Sequence, residues 1–151
     1  ELQSDFAYKP GWGALSRAEN IITRIPGTGE GDTLLVMTHY DSAPHTASKG
    51  ASDAGSGVAT ILEGIRAFLA KGEKQKNDII LLFTDAEELG LNGASVFVNK
   101  HPWAKEVDLA LNFEARGSGG PSNMIVETNG GNGALIKAFA EVQDEIISIK
   151  T

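Results

Sequence analysis

Hydrophobic and polar positions follow two different spacings along this chain, and together they predict strands that alternate with helices. Nearly unbroken apolar runs over residues 33–38 and 79–83 are typical of buried strands of a sheet, and residues 107–113 predict a further strand. Residues 58–69 carry apolar side chains at helical spacing instead, and Gly72 follows the end of this predicted helix. We therefore expect an α/β fold, a three-layer sandwich in which helices cover a mostly parallel, mixed sheet.

The pattern is less regular around this predicted core. Residues 1–18 mix glycine, proline and aromatic side chains without a period, so we expect irregular chain with at most a short helix. Residues 20–25 alternate enough for an edge strand. Three further elements are expected: a helix capped by Asn92, with Ala94, Phe97 and Val98 on one face and its end at His101-Pro102, a strand over residues 124–127, and a helix from Asn132.

The composition limits which partners the protein can have. The 151 residues correspond to one domain, and the formal charge of -7 with a pI near 4.9 disfavours nucleic acid or an anionic membrane as a partner. The chain has no cysteine, so a bound metal must be held by histidine, aspartate or glutamate. No apolar run approaches the ~20 residues of a membrane helix and no signal peptide is recognisable, so we expect no membrane contact from this segment.

Side chains that can bind a metal follow three of the predicted strands and also open the helix that begins after residue 52. They are, in chain order, His39, Asp41, Asp53, Glu87, Glu88 and Glu114. The carboxyl ends of parallel strands meet at one edge of a sheet, so these side chains should gather there. Imidazole and carboxylate ligands suit zinc or a similar divalent ion, and several carboxylates allow two ions bridged by one of them.

Two local relationships suggest how these residues would divide the work. Glu87 and Glu88 are adjacent, so their side chains should diverge, with one binding a cation while the other handles a proton. Asp41, two residues after His39, is well placed to accept the other ring N–H of that histidine and fix its tautomer.

Each residue also has an ordinary structural interpretation. A lone histidine is usually a hydrogen-bonded core residue, Asp53 alone would suit a helix cap, and the acids after residue 83 would suit the first turn of the next helix. Taken together, however, these acids would repel one another unless a cation were present, which favours a metal site. We expect His45, in a loop rich in small residues, to be able to reach a substrate, and His101 to be solvated.

Several catalytic motifs are missing from the sequence. It contains no His-Glu-x-x-His, no Gly-x-Ser-x-Gly around any serine and no glycine-rich loop that ends in Lys-Ser or Lys-Thr. Gly55 and Gly57 are therefore interpreted as glycines required for close packing rather than for cradling a phosphate. Serine hydrolase and nucleotidase functions are disfavoured.

Four motifs occur in order along the chain. They are Thr38-His-Tyr-Asp-Ser42, Ser52-Asp-Ala-Gly-Ser-Gly57, Thr84-Asp-Ala-Glu-Glu-Leu-Gly-Leu-Asn-Gly93 and Asn112-Phe-Glu-Ala-Arg116. Their order and spacing resemble the di-zinc aminopeptidases, the family of bacterial leucyl aminopeptidases, aminopeptidase Y and the endoplasmic reticulum metallopeptidase. The fourth motif is most similar to that of the endoplasmic reticulum metallopeptidase.

The resemblance implies a role for each site residue. His39 and Glu114 would hold one zinc ion, Glu88 would hold the other, and Asp53 would bridge both. Glu87 would be the general base. Asp41, whose role follows from its spacing to His39 and not from the resemblance, would assist catalysis by orienting the histidine. The implied activity is that of a zinc-dependent exopeptidase, an aminopeptidase acting on peptides, and the resemblance also favours a location outside the cytoplasm.

The chain departs from the family pattern in two places. Ala54 stands where many relatives have a second acid, after a peptide bond that is often cis in the family. The fifth family ligand is a histidine in the C-terminal part of a longer domain, and no histidine follows Glu114 here. We therefore expect residues 1–151 to be one C-terminally incomplete catalytic domain that binds one zinc ion or none and has weak or no activity. A glutaminyl cyclase or carboxypeptidase on the same scaffold, and a non-catalytic binding domain, are the alternatives.

Overall fold

Five strands, three α-helices and one 3-10 helix make up the part of the chain that the computed structural model describes, residues 1–29, 31–115 and 133–148. The strands are β1 (Leu2–Lys9), β2 (Ala14–Ile25), β3 (Leu34–His39), β4 (Ile79–Thr84) and β5 (Leu109–Asn112). The helices are α1 (Gly55–Ala70), α2 (Asn92–Lys100), the 3-10 helix Pro102–Glu106 and α3 (Gly133–Ser148). All but α3 lie in a unit that spans Glu1–Gly120, and α3 lies in a second unit, Pro121–Thr151.

The strands form one mixed sheet in the order β1-β2-β4-β3-β5. β3 is parallel to both of its neighbours, β4 and β5, whereas β2 is antiparallel to both β1 and β4. Four of the five strands therefore run in one direction, and only β2 opposes them. The predicted α/β class with a mostly parallel, mixed sheet is confirmed.

β4 lies at the centre because both of its faces are covered. All six of its residues are buried. On one face Leu81 and Phe83 pack with Ile61 of α1, and on the other Ile80 and Leu82 pack with Phe97 of α2. This alternation explains why the strand is apolar from Ile79 to Phe83: a strand between two helical layers has no side exposed to water.

The prediction for the first 18 residues is wrong, because β1 and β2 form a long hairpin there. The two strands pair from Leu2↔Ile21 to Lys9↔Ala14. No strand period is visible because side chains on both faces of β1 are of mixed polarity, so cross-strand pairing supplies what the local sequence does not. The edge strand expected at residues 20–25 is also longer and lies inside the sheet, since β1 covers its outer side.

α2 begins where predicted, but its contacts differ. Leu91, with φ of 64°, is the N-cap residue, and Asn92 lies inside the helix, where its side chain donates a hydrogen bond to the Ser16 hydroxyl. Val96 rather than Val98 joins Phe97 on the buried face. The expected helix end at His101-Pro102 and the expected helix near Asn132 are confirmed.

The strand expected at residues 107–113 is shorter in the structure, Leu109–Asn112. The strand expected over residues 124–127 lies outside the described residues. None of the described helices combines the length and the apolar character needed to cross a membrane.

Candidate metal centre

The imidazole of His39 is the centre of a group of carboxylates. His39 is the last residue of β3, is 2% exposed, and pairs with Thr84 at the end of β4. Its Nε2 atom lies 2.9 Å from Asp53 Oδ1, 3.4 Å from Glu114 Oε1 and 4.0 Å from Glu87 Oε2. Three acids from three separate segments therefore face one ring nitrogen, at the carboxyl ends of the parallel strands.

Asp41 contacts the opposite side of the ring. Its backbone carbonyl lies 3.1 Å from His39 Nδ1, and its Oδ1 atom lies 3.3 Å away. The carboxylate also accepts hydrogen bonds from the backbone N–H groups of Glu87 (3.0 Å) and Glu88 (3.2 Å). Asp41 therefore ties the end of β3 to the turn after β4. The sequence did not reveal this second function, because the partners are 46 and 47 residues away and leave no local pattern.

Glu87 and Glu88 lie in a turn that precedes α2 and not in the helix itself. Ala86 (φ 54°) and Leu91 (φ 64°) both adopt the left-handed conformation there, and the first turn of α2 contains no acid. The interpretation of these acids as helix-stabilising charges is therefore wrong. The neighbouring Asp85 turns elsewhere, since its carboxylate accepts the N–H groups of Glu19 and Ala86.

Close backbone packing brings Glu114 to the group. Gly57, in the first turn of α1, lies so near the strand ends that an added Cβ would sit 2.4 Å from Thr38 Oγ1 and 2.7 Å from the Phe113 carbonyl. The Thr38 hydroxyl donates a 2.7 Å hydrogen bond to that carbonyl. The packing role predicted for Gly57 is confirmed.

The peptide bond between Asp53 and Ala54 is cis, as it often is in the family that the sequence resembles.

The ionisation of the group reflects an excess of negative charge. Burial raises the pKa of Glu87, which His39 opposes and the carboxylates of Glu114, Glu88 and Asp41 reinforce. Burial likewise raises the pKa of Glu114, with His39 opposing. Burial disfavours the charged form of His39, but the surrounding acids outweigh it and the pKa of the ring is raised. A cation bound nearby would shift the pKa values of Glu87 and Glu114 in the opposite direction, because it stabilises the charged carboxylates.

The arrangement fits a divalent metal ion. Two sets of donor atoms each lie within 4.8 Å of one another: His39 with Asp53 and Glu114, and His39 with Glu87 and Glu88. One imidazole and two carboxylates around an open position are the ligands that catalytic zinc uses. The second set differs from the expected pair of Asp53 and Glu88.

The other two histidines lie outside this group. His45 is exposed in the loop before α1. His101 is 6% exposed, stacks on Phe97 and accepts a hydrogen bond from the Trp103 N–H through Nδ1. The expectation that His101 is solvated is therefore wrong: the adjacent proline ends α2, but the ring turns inward against aromatic neighbours.

Comparison with known proteins identifies relatives of much greater length. Residues 20–149 match the family described as Peptidase family M28. The vacuolar membrane protease of Candida tropicalis is 37% identical over 125 residues, which are 82% of this chain and 13% of that protein. "Putative endoplasmic reticulum metallopeptidase 1-A" of Caenorhabditis elegans is 32% identical over 124 residues, 81% of this chain and 14% of that protein. The chain thus spans a small part of the length of these curated relatives.

Solved structures give the same assignment. A glutaminyl cyclase from an Acidobacteriales bacterium superposes with a TM-score of 0.59 at 26% identity, covering 78% of this chain and 43% of that chain. BSAP, a zinc aminopeptidase from Bacillus subtilis, gives 0.53 at 31% identity over 68% of this chain and 25% of its own. The resemblance to the di-zinc aminopeptidases, inferred above from four motifs, is confirmed, and this chain belongs to peptidase family M28.

Proposed function

We propose that this chain carries the metal-binding and proton-transfer residues of a zinc-dependent aminopeptidase, which releases N-terminal residues from peptides. One observation carries the proposal: a buried imidazole faces carboxylates from three segments at the carboxyl edge of a parallel sheet. In this proposal His39 and Glu114 hold one ion, Glu88 holds the other, and Asp53 bridges them.

Zinc suits the site because its donors are imidazole nitrogen and carboxylate oxygen. Bound zinc would supply two effects, acidification of a water molecule and polarisation of the scissile carbonyl. Glu87 would act on that water as general base and pass the proton to the leaving nitrogen. Its raised pKa supports this role, because a base must also be able to hold the proton briefly before releasing it.

Asp41 acts as a positioning residue in this scheme. It contacts His39 through its backbone carbonyl and through its Oδ1 atom, and its carboxylate accepts the backbone N–H groups of Glu87 and Glu88. One side chain therefore orients both the ligand histidine and the proposed base. Removing it should disturb metal affinity and proton transfer together.

The division of ligands leaves the two ions unequal. In this division the first ion has His39, Asp53 and Glu114, whereas the second has only Asp53 and Glu88, because His39 is assigned to the first. We propose that residues 1–151 alone hold one zinc ion tightly and no second one, and that full activity needs a further histidine from a longer form of the protein. The names of the vacuolar and reticulum relatives support a location outside the cytosol.

Glutaminyl cyclase is the second candidate function, and the superposition with the Acidobacteriales enzyme favours it. A cyclase closes an N-terminal glutamine onto its own amine and releases ammonia, whereas an aminopeptidase releases a free amino acid. The products therefore separate the two reactions on one glutaminyl peptide.

The decisive assay uses a longer form of the protein that includes the rest of the catalytic domain. We expect it to cleave an amino-acid anilide, to lose this activity when zinc is chelated, to regain it when zinc is restored, and not to cleave the same substrate with an acetylated amine. Equal cleavage of the acetylated substrate would refute an aminopeptidase. On a glutaminyl peptide, ammonia release without amino-acid release would favour the cyclase. Absence of both products would refute both enzymes.

A further inference from the structure

A cavity of about 320 Å³ adjoins the proposed base and metal ligand. Its lining consists of Lys9, Trp12, Glu87, Glu88, Gly90 and Leu91. The acids form one part of the lining, and residues from the turn between β1 and β2 form another. A substrate whose reacting group lies at Glu87 would therefore extend past the hairpin, a region that the family motifs do not include.

The hairpin turn is held against the turn after β4. Gly90 has φ of +110°, and an added Cβ would lie 2.9 Å from Lys9 Cγ and 3.5 Å from Trp12 Cε3. Only a glycine allows this approach. The Trp12 N–H donates a 3.1 Å hydrogen bond to the Lys9 carbonyl, which fixes the turn that carries the indole. The close approach to Gly90 and the hydrogen-bonded hairpin turn together place Trp12 beside Glu87 and Glu88.

The cavity wall offers apolar surface that no other described part of the chain covers. Trp12 is 69% exposed and Leu91 is 50% exposed. An indole and a leucine beside a pair of carboxylates match the two ends of a peptide's first residue: its amine is attracted to the acids, and its side chain is attracted to the apolar wall.

Lys9 adds a charge preference to this wall. Among the described residues its ammonium makes no hydrogen bond or ion pair, whereas Lys100, also near the hairpin, binds Asp5 and the Phe6 carbonyl. When Glu88 holds the metal ion and Glu87 faces the reacting group, as proposed above, Lys9 is the charged group left on this wall, where it would repel a lysine or arginine side chain.

We propose that Trp12, Leu91 and Lys9 form a specificity subsite for the first residue of the peptide, which favours large apolar side chains and disfavours basic ones. The inference rests on the proposed aminopeptidase function, and it adds three residues that determine the substrate class. The subsite residues lie in the hairpin and in the turn after β4, and the same turn carries Glu87 and Glu88.

Kinetics on the longer form of the protein test the subsite. The measured quantity is the ratio of kcat/KM for phenylalanine anilide to that for alanine anilide. Trp12→Ala should lower this ratio about tenfold, chiefly through KM for phenylalanine anilide, since apolar pockets discriminate by factors of this order. Phe6→Ala is the matched control, because Phe6 is 61% exposed on the same hairpin and does not line the cavity. An unchanged ratio in Trp12→Ala, or an equal fall in both variants, would overturn the proposal.

The charge preference has its own variant. Lys9→Glu should raise kcat/KM for lysine anilide relative to phenylalanine anilide by about tenfold, because the repelling charge becomes an attracting one. No relative gain for the lysine substrate would remove Lys9 from the subsite.

A binding measurement keeps the test independent of catalysis. The 151-residue chain has two tryptophans, so Trp103→Phe leaves Trp12 as its single indole. Phenylalanine amide should shift Trp12 fluorescence to shorter wavelength at lower concentration than lysine amide does, because the apolar ring covers the exposed indole. A shift in this chain, together with no peptidase activity in the longer form, would leave the subsite standing and refute the proposed reaction. Activity with no shift, or with the same shift for both amides, would refute the subsite alone.

Discussion

The two ends of β4 both carry clusters of charged side chains, but only at the end before the strand, the balanced end, does each acid pair with a permanent cation. Before the strand, the Arg24 guanidinium donates to Asp78 at 2.7 Å and to Glu106 at 2.6 Å. After the strand, one imidazole faces several carboxylates, and no arginine or lysine pairs with it among the described residues.

The pKa shifts at the two ends run in opposite directions. The Gly27 N–H and Arg24 hold the pKa of Asp78 below its usual value, and the two acids raise the pKa of Arg24. At the other end, burial and neighbouring acids raise the pKa values of Glu87 and Glu114. A cluster whose acids pair with a cation contributes to the stability of the fold, whereas a cluster whose acids repel one another fits the metal site proposed here.

The largest expected effect separates the two ends by activity. In the longer form of the protein, Glu87→Gln should lower kcat at least ~100-fold while zinc content is unchanged, because only the proton carrier is removed. Glu106→Gln, at the balanced end, should leave kcat within about twofold of the unaltered protein. Steady-state kinetics with metal analysis measure both, and near-normal turnover in Glu87→Gln would exclude it as the base.

Removing the cation from the balanced end should destabilise the fold. Arg24→Ala leaves Asp78 and Glu106 without their shared partner and also removes the guanidinium from the face of Trp103, where it lies 5.5 Å from the ring centre. We expect a loss of about 1 kcal/mol, since water screens part of these contacts. Urea unfolding of Arg24→Ala and Arg24→Lys measures it. An unchanged midpoint in Arg24→Ala would show that the cluster does not stabilise the protein.

Neutralising one acid should change the free energy of unfolding in opposite directions at the two ends of β4. In zinc-free protein, Glu114→Gln should raise stability by roughly 0.5 kcal/mol, a modest value because the side chain is partly exposed and screened. Glu106→Gln should lower stability, because it removes an attraction instead of a repulsion. Thermal unfolding of both variants tests the pair. A change of stability in the same direction in both variants would mean that the difference between the two clusters has no energetic consequence.

The smallest expected effect concerns pH. The pKa of Asp78 is depressed from its ordinary 3.8, so its stabilising contribution is present above that value and is lost as pH falls through the lower, folded-state pKa. Asp78→Asn should therefore lose less stability than the unaltered protein between about pH 5 and pH 3. Denaturant unfolding at the two pH values measures the difference. Parallel losses in both proteins would contradict the assignment.

The parts of the fold that can be predicted from sequence are those whose environment is recorded locally. β4 is apolar at each position from Ile79 to Phe83 because both of its faces are buried, and α1 repeats its apolar residues at helical spacing because one face packs on the sheet. The gathering of the site residues followed from topology, because the ends of β3, β4 and β5 meet at one edge.

The parts that could not be predicted depend on partners distant in sequence. The β1–β2 hairpin is stabilised across strands, and the inward position of His101 depends on contacts with Phe97 and Trp103. The bonds from Asp41 to the N–H groups of Glu87 and Glu88, and the contact of Gly90 with the hairpin turn, likewise join segments that share no local pattern. Each is a consequence of the fold and has no signature before the fold is known.

The central claim is that the unbalanced end of β4 is a zinc site, and zinc titration of the metal-free 151-residue chain by isothermal calorimetry tests it most directly. The unaltered chain should bind one zinc ion tightly, His39→Ala should abolish that binding, and His45→Ala, in the exposed loop, should retain it. No binding to the unaltered chain, or equal binding by His39→Ala, would contradict the account, and two tight ions would contradict the proposed division of ligands.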